Sequence, residues 1–173
     1  DDCIRKNPFD FKLSDVLEDD TEPKIALTLE QEANLLSFME SDKVYEKYRD
    51  EIIILLETGL RVSELCGLTV KDLDFQNRSI NVDHQFLRDT EVGYYTEPPK
   101  TNSGIRQLPM SDKVYQAFRR ISKNRRKAEP IVIDGYSSFL FLNREGLPKV
   151  AGNYEGMVKG LIKKYNKIHE DRL

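Results

Sequence analysis

The eight residues TGLRVSEL, Thr58–Leu65, decide how the first half of the chain folds. They follow an apolar run, residues 52–56, which is too hydrophobic for a surface helix and predicts a buried one. Gly59 is typical of a helix end, because glycine readily adopts the left-handed conformation that closes a helix. The stretch therefore predicts two helical segments that meet at Gly59, with Arg61 at the start of the second.

Arg61 stands at a position where a fixed guanidinium can bind an anion. A guanidinium offers planar, paired donors to a phosphate or a carboxylate, and it stays charged at any relevant pH. Glu64 follows three residues later, on the same helical face, and could hold that guanidinium in one orientation. A purely structural ion pair at a helix start is the alternative, and Thr58–Leu65 alone does not decide between the two.

The composition is that of a globular protein with a sizeable core. Of the 173 residues, 39% are hydrophobic and 33% are charged, and this length suits one domain, with or without part of a second. No apolar stretch approaches the roughly 20 residues that a membrane-spanning helix needs. The first residues also lack the apolar core of a secretory signal. We therefore expect no membrane partner and a cytoplasmic protein.

Metal chemistry has little support in the sequence. The two cysteines, Cys3 and Cys66, lie far apart, and Cys66 stands among apolar residues, where we expect it to fill the core. The two histidines, His84 and His169, belong to no H-E-x-x-H pattern, and the chain contains no C-x-x-C pattern. We therefore predict no metal site.

The net charge of −3 conceals an uneven distribution along the chain. Residues 1–99 carry 11 Lys and Arg against 23 Asp and Glu, whereas residues 100–173 carry 16 against 7. A basic second half suits a surface that faces a polyphosphate, and a solvated helix face is the alternative. The densest basic cluster consists of Arg119, Arg120, Lys123, Arg125, Arg126 and Lys127.

Hydrophobic periodicity predicts helices towards both ends of the chain. Residues 1–27 show little periodicity and many acidic side chains, and they are expected to be a linker. The capping pattern Thr28-x-x-Gln31 predicts a helix that runs to about Ser41. Further helices are predicted over about 44–58, from Arg61 or Val62 to Gly67, after the cap Ser111, and over about 153–168.

Alternation of polar and apolar residues predicts three strands between the helices, over residues 79–86, 94–96 and 105–110. We expect them to form one small antiparallel sheet, with Lys100 near the last hairpin turn, where a lysine can reach outward. The fold class predicted from the sequence is therefore α+β and mainly helical, with helices around a three-stranded antiparallel sheet.

Several longer motifs extend this interpretation. TGLRVSELCGLTVKDLDF, Thr58–Phe75, is followed by PPKTNSGIRQLPM, Pro98–Met110. In this order they resemble the catalytic domain of tyrosine recombinases, the phage-type integrases. The inserted HQFLRDTEVGYYTEPPKT and the later FLFLNREGLPKV resemble integrases of conjugative transposons in particular. The resemblance covers nearly the whole chain from Thr28 onward.

The resemblance implies a site that cleaves DNA. Arg61 matches the first catalytic arginine of the family, Glu64 its supporting acid, and Lys100 the lysine of its hairpin. Arg106 fits the hairpin pattern and is a candidate phosphate contact, although an alternating strand also needs polar residues on its outer face.

The chemistry of these residue types agrees with that implication. When a hydroxyl attacks a phosphodiester, negative charge grows on the non-bridging oxygens, and a guanidinium such as that of Arg61 stabilises it. An ammonium such as that of Lys100 can protonate the departing 5′ oxygen. In the family a tyrosine hydroxyl is the nucleophile and forms a 3′-phosphotyrosyl intermediate, so that no metal or nucleotide cofactor is required.

The resemblance also implies partners and a location. The partners are double-stranded DNA at recombination sites and other copies of the same recombinase, without a small-molecule substrate. Such a protein would act in site-specific recombination for a mobile element, in the bacterial cytoplasm and at the nucleoid.

The second half of the family's site is not found in the sequence. The family has an H-x-L-R-H box followed by the nucleophilic tyrosine. His169 and Arg172 satisfy H-x-x-R literally, but Tyr165 precedes them, which is the wrong order for the nucleophile. We expect Tyr165 to pack in the core, His169 to be solvated at a helix end, and the nucleophile not to lie in this chain.

The expected domain organisation follows from these observations. Residues 28–173 would be the N-terminal portion of a recombinase catalytic domain, inactive alone, and residues 1–27 a linker from a missing N-terminal DNA-binding domain. A non-catalytic DNA-binding or regulatory module derived from a recombinase is the alternative. A protein-interaction domain with an acidic partner is a third hypothesis, in which the ordered motifs would have no role.

Overall fold

The structure is a computed structural model that describes residues 25–99, 101–125, 131–170 and 172–173. Its helices are α1 (Leu29–Ser41), α2 (Arg49–Thr58), α3 (Val62–Gly67), α4 (Asp112–Asn124) and α5 (Ala151–Ile168). Its strands are β1 (Leu73–Asp74), β2 (Ser79–Val82), β3 (Gln85–Asp89), β4 (Gly93–Glu97) and β5 (Arg106–Pro109). Short 3-10 turns occupy Glu46–Tyr48, Val70–Asp72 and Asn102–Gly104.

Local capping sets the ends of the first helices, as the sequence predicts. The Thr28 hydroxyl accepts a hydrogen bond from the backbone N–H of Gln31 at 3.1 Å, and the Gln31 side chain accepts one from the backbone N–H of Thr28 at 3.0 Å. α2 ends at Gly59, whose φ of 63° is left-handed. The predicted helix over 44–58 is shorter than expected, because a 3-10 turn over Glu46–Tyr48 precedes α2.

The strands form two antiparallel sheets, and the prediction of a single sheet was wrong in this respect. The first sheet has the order β1-β2-β5, and the second is the hairpin β3-β4. The predicted strand over 79–86 divides at Asp83 and His84, where the backbone changes partner strand. The buried His84 ring bonds the Gly67 carbonyl at 2.8 Å and faces the Asp83 carboxylate at 2.5 Å, which fixes this break.

This division changes the connection expected between β4 and β5. β4 pairs with β3, and β5 pairs with β2, so that β4 and β5 do not form a hairpin with each other. The chain between β4 and β5 instead connects two sheets. Lys100 belongs to that connection and lies outside the described residues.

The main core lies between the first sheet and helices α2, α3 and α4. Its fully buried members include Ile54, Leu65, Ile80, Phe86 and Phe118. Burying side chains of this size contributes about 1.5–3 kcal/mol each. Cys66 belongs to this core with no exposed surface, as expected. Burial, followed by the nearby Glu51 carboxylate, raises the pKa of the Cys66 thiol to about 12, so that the thiol stays protonated.

A second, smaller core joins α5 to α1 and α2. Tyr165 is fully buried there and packs edge-to-face on Phe38 at 5.6 Å between ring centroids, which confirms the expected core position. His169 stacks on Tyr165 at 4.2 Å and is half-buried. The expectation of a solvated His169 was therefore wrong, because the ring continues the aromatic stack beyond the end of α5.

α5 is the longest helix in the described part of the chain. One face of it is buried, and much of the remainder carries lysines: Lys159, Lys163, Lys164 and Lys167. Of the helices described, not one combines the length and the apolar character that crossing a membrane requires.

Candidate active site

Glu64 fixes Arg61 at the start of α3. The left-handed Gly59 ends α2, and the extended Arg61, with φ −65° and ψ 147°, precedes the first residue of α3. One Glu64 oxygen accepts a hydrogen bond from the backbone N–H of Arg61 at 2.9 Å, and the other accepts one from its Nη1 at 3.0 Å. The same carboxylate thus caps the helix and orients the guanidinium.

Arg106 reaches the same carboxylate from β5. Its Nη1 and Nη2 donate to the two oxygens of Glu64 at 3.0 and 2.8 Å, and Nη1 also donates to the Gly104 carbonyl at 3.0 Å. Paired bonds of this kind between arginine and carboxylate combine strength with defined geometry. The structure therefore brings Arg61, Glu64 and Arg106 together, and we call these three residues the Glu64 cluster.

The three side chains of the Glu64 cluster differ greatly in exposure. The Glu64 side chain is 2% exposed, that of Arg106 27% and that of Arg61 71%. Two positive charges thus share one buried negative charge, and the surplus positive charge lies on the solvent side. An anion that approaches from solvent meets the Arg61 guanidinium first.

Glu64 stays ionised in this setting. Its burial pushes the pKa upward, but hydrogen bonds from the Arg106 side chain and from the backbone and side chain of Arg61 outweigh burial and hold the pKa below its usual value. The hydrogen bonds to Glu64 also raise the pKa of Arg106. The cluster is therefore a charged assembly at neutral pH.

Pro99 and Thr101 both contact Gly104, which is hydrogen-bonded to Arg106 of the Glu64 cluster, although Lys100 itself lies outside the described residues. The Gly104 N–H donates to the Thr101 carbonyl at 2.8 Å, and the Gly104 carbonyl accepts the bond from Arg106. A Cβ added to Gly104 would lie 2.3 Å from the Pro99 Cβ. Pro99 and Gly104 are therefore in direct contact across this connection.

Gly104→Ala is expected to destabilise the protein by about 1–3 kcal/mol, because the added methyl group overpacks the contact with Pro99. Urea unfolding measures the change. Gly152→Ala in α5 is the matched control, since an added Cβ there meets nothing within 4 Å. That control should stabilise the helix slightly, by up to about 1 kcal/mol. Equal effects of the two substitutions would contradict the prediction.

The basic cluster of the sequence is partly structural. Arg120 donates to both carboxylate oxygens of Asp50, from Nη2 at 2.6 Å and from Nε at 3.0 and 3.1 Å, and so ties α4 to α2. The Arg119 guanidinium lies 5.6 Å from the centroid of the Phe75 ring. Arg126 and Lys127 lie outside the described residues. For Arg120 the structure favours an internal ion pair over a free polyphosphate contact.

A cavity of about 650 Å³ lies apart from the Glu64 cluster, between α2, α4 and the start of α5. An ion pair between Lys149 and Glu51, at 2.6 Å, borders it. Arg61, Glu64 and Arg106 do not line this cavity. The exposed guanidinium of Arg61, and not a deep pocket, is the accessible part of the candidate site.

One group of described residues brings potential metal ligands together, although the sequence offered no metal motif. Atoms of Asp72, Asp83 and His84 lie within 4.8 Å of one another. Thr69 donates two hydrogen bonds to Asp72 at 2.7 Å, and His84 is held between Asp83 and Gly67. Protein hydrogen bonds therefore account for the arrangement, which stabilises the break between β2 and β3.

Comparisons with known proteins identify relatives of this chain. The sequence profile of the Phage integrase family matches residues 26–172. The transposase from transposon Tn916 of Enterococcus faecalis is 63% identical over 173 residues, which is all of this chain and 43% of that protein. The tyrosine recombinase XerA of Pyrococcus furiosus is 42% identical over 64 residues, 36% of this chain and 21% of that protein.

The chain also resembles solved structures of recombinases. The Tn1549 transposon integrase, in complex with circular intermediate DNA, matches with a TM-score of 0.93 and 63% identity, over 98% of this chain and 55% of that one. A XerA recombinase, 22% identical, shares the fold with a TM-score of 0.60 over 86% of this chain and 46% of that one. The α+β class is confirmed, and the chain spans about half the length of these relatives. The chain belongs to the phage integrase family, the tyrosine recombinases.

Proposed function

We propose that this chain supplies the Arg61 part of the active site of a site-specific DNA recombinase that serves a mobile element. The recombinase cleaves and rejoins DNA strands through a 3′-phosphotyrosyl intermediate. The observation that carries the proposal is the Glu64 cluster, in which one buried carboxylate holds two guanidinium groups and leaves that of Arg61 exposed.

The Glu64 cluster suits phosphoryl transfer for an electrostatic reason. The attack on a phosphodiester builds negative charge on the non-bridging oxygens, and donors already in place stabilise that charge without reorganisation. In our proposal Arg61 binds one such oxygen, and Arg106, which is partly exposed, contacts the phosphate beside it. Glu64 supports both arginines, and Lys100 donates a proton to the departing 5′ oxygen.

We further propose that the chain works within a longer recombinase. Two of the relatives named above are a transposase and a transposon integrase, and this chain covers 43% of the former and 55% of the latter. In that protein residues 28–173 form the N-terminal portion of the catalytic domain, and residues 1–27 link it to a DNA-binding domain. The nucleophilic tyrosine lies outside this chain. Double-stranded DNA and other copies of the recombinase are the partners, in the bacterial cytoplasm and at the nucleoid.

A nicked duplex that carries an end of the mobile element tests the proposed function. The full-length protein should form a covalent complex with it that survives denaturation, whereas the 173-residue chain alone should not. Failure of the full-length protein to form that complex while it still binds the duplex would favour the alternative, a recombinase-derived DNA-binding module. A covalent complex of the isolated chain would contradict the proposed division of the site.

Tyr165→Phe is expected to leave covalent complex formation by the full-length protein intact. Tyr165 lies on α5 and is fully buried against α1. Its hydroxyl therefore cannot reach a DNA phosphate without unfolding of this core. Gel analysis of the nicked-duplex reaction measures the complex. Loss of the complex by a variant that still folds would place the nucleophile at Tyr165 and refute the assignment.

A further inference from the structure

Two buried side-chain atoms in the described residues lack a hydrogen-bond partner, and both belong to residues that line the cavity of about 650 Å³. They are the Nε of Arg125, at the end of α4, and the hydroxyl oxygen of Tyr154, in the first turn of α5. Buried polar atoms are nearly always hydrogen-bonded, and an exception calls for an explanation such as a bound ion. Two exceptions at one cavity point to a ligand.

The Tyr154 hydroxyl is a donor without an acceptor. The residue is 3% exposed. Burial, followed by the nearby Glu51 carboxylate, raises the pKa of Tyr154 well above its usual value, so that the hydroxyl keeps its proton. Both Glu51 oxygens already accept hydrogen bonds from the Lys149 ammonium, at 2.6 and 2.7 Å. The phenol proton is therefore available to an acceptor in the cavity.

The charged residues around the cavity leave a positive surplus. The lining includes four basic and two acidic residues: Lys47, Arg125, Arg144, Lys149, Glu51 and Glu145. The Lys149–Glu51 ion pair is neutral, and Glu145 offsets its neighbour in sequence, Arg144. Lys47 and Arg125 remain, and neither forms an ion pair with a carboxylate within the described ranges. Two positive charges at the cavity therefore lack a counter-charge.

A phosphate group matches both the donors and the charge. The Nε of Arg125 can only donate a hydrogen bond, so that a partner in the cavity has to be an acceptor. A phosphate monoester carries about 1.5 to 2 negative charges at neutral pH and three strong acceptor oxygens. The volume is typical of sites for small molecules, and it leaves room for an organic group beside Ile121 and Leu140.

We propose that this cavity binds the phosphate group of a small molecule, as inorganic phosphate or a phosphate monoester, through Lys47, Arg125 and Tyr154. The cavity lies at the N-terminal end of α2, whereas Arg61 follows the C-terminal end of that 10-residue helix, about 15 Å away. The site is separate from the Glu64 cluster, and the inference does not rest on the proposed function. Because two of its donors are buried, the phosphates of a rigid duplex do not reach them.

A bound phosphate would contact three parts of the fold at once. Lys47 lies in the 3-10 turn before α2, Arg125 at the end of α4 and Tyr154 at the start of α5. A ligand that binds the folded chain and not the unfolded one stabilises the fold by mass action. Phosphate should therefore raise the temperature of thermal unfolding in a saturable manner.

Equilibrium dialysis of the 173-residue chain against radiolabelled inorganic phosphate, at constant ionic strength, measures binding directly. Every protein in the series carries Arg61→Ala, which removes the exposed guanidinium of the Glu64 cluster. Arg125→Gln should weaken binding by about 10-fold or more, because it loses charged donors, and Lys47→Gln should also weaken it. Arg88→Gln is the matched control: Arg88 is exposed on β3, does not line the cavity and should not affect binding.

Tyr154→Phe separates a ligand contact from a structural role. In the absence of phosphate the variant should be at least as stable to heat as the unsubstituted chain, because the hydroxyl that it removes has no protein partner. Its affinity for phosphate should be about 2- to 10-fold lower, the usual effect of losing one neutral hydrogen bond. A lower unfolding temperature without phosphate would show that the hydroxyl serves the fold, and would count against the site.

Three results would overturn the proposal. The first is an absence of saturable phosphate binding, and the second is equal affinity of Arg125→Gln and Arg88→Gln. The third comes from competition with a short DNA duplex, which should not displace phosphate from the cavity; displacement that requires Arg125 would assign the cavity to the DNA-binding surface. None of these measurements involves DNA cleavage, so that their failure leaves the proposed function intact, and failure to form the covalent complex leaves this site intact.

Discussion

Arg61→Ala in the full-length protein is expected to slow DNA cleavage by about 10²- to 10³-fold, the usual effect of losing one donor that stabilises charge in the transition state. Folding should hardly change, because the Arg61 side chain is 71% exposed and Glu64 keeps its bonds to Arg106. We expect a stability change within about 0.5 kcal/mol. Single-turnover cleavage and urea unfolding of the same protein measure the two quantities.

Two substitutions control the prediction for Arg61. Arg61→Lys keeps the charge but loses the paired donors, and it should recover only part of the rate. Arg144→Ala removes an exposed arginine outside the Glu64 cluster and should leave the cleavage rate unchanged. If Arg144→Ala slowed cleavage as much as Arg61→Ala, the effect of Arg61 would be general electrostatic attraction for DNA and not a contact with the reacting phosphate.

Glu64→Gln is expected to have the largest effect on stability. The carboxylate is 2% exposed and accepts hydrogen bonds from the Arg61 backbone and from both guanidinium groups. The amide is of similar size but carries no charge, and it turns a donor towards one of the arginines. Breaking a buried ion pair from one side costs about 3–5 kcal/mol. Urea unfolding of the 173-residue chain measures the loss, without any need for catalysis.

Glu91→Gln is the matched control for Glu64→Gln. Glu91 is exposed in the turn between β3 and β4, and its replacement should change stability by no more than about 0.5 kcal/mol. The full-length Glu64→Gln protein should also cleave DNA more slowly, because both arginines lose their fixed orientation. Equal stability of the two glutamine variants would show that the buried carboxylate does not hold the cluster together.

The pH dependence of stability offers an independent check on Glu64. Its pKa is lowered in the folded protein, so that the unfolded chain binds the proton more tightly. The stabilisation by Glu64 is therefore complete above the usual glutamate pKa of 4.5 and is lost as the pH falls through the lower folded value. Glu64→Gln should flatten the acid part of the curve of unfolding free energy against pH.

Local sequence patterns predicted the helix ends because the bonds that make them are local. Thr28 and Gln31 cap each other across three residues, Ser111 caps α4 in a similar way, and Gly59 needs only its own left-handed conformation. Their structures depend little on the rest of the fold. The Arg61–Glu64 contact belongs to the same class, since the two residues are only three positions apart at the start of α3.

The change of sheet at His84 could not be predicted in this way. Ile80, Val82, His84 and Phe86 are all buried, so that the alternating pattern continues through the break without interruption. Periodicity reports which face of a strand is buried and not which strand pairs with it. The prediction of one continuous strand therefore followed correctly from the pattern and was still wrong about the pairing.

The Glu64–Arg106 contact was missed for a related reason. The two residues are 42 positions apart, and no local pattern relates them. A half-exposed arginine on an alternating strand gave no sign that it would face a buried acid. A search that started from Glu64 could have suggested a second basic partner, because an acid in an otherwise apolar helix needs positive charge nearby. The role of Lys100 stays a prediction, since that residue lies outside the described part of the chain.

The separate pairing of β3 with β4 makes the hairpin a module. The two strands pair only with each other, from Gln85 opposite Glu97 to Asp89 opposite Gly93. They share no strand with the sheet that carries Arg106. Residues could be added in pairs, or a fluorophore attached, between Asp89 and Gly93 without altering the register at the Gln85 end. The hairpin tip is thus a place where length can vary, in evolution or by engineering, while the Glu64 cluster stays in place.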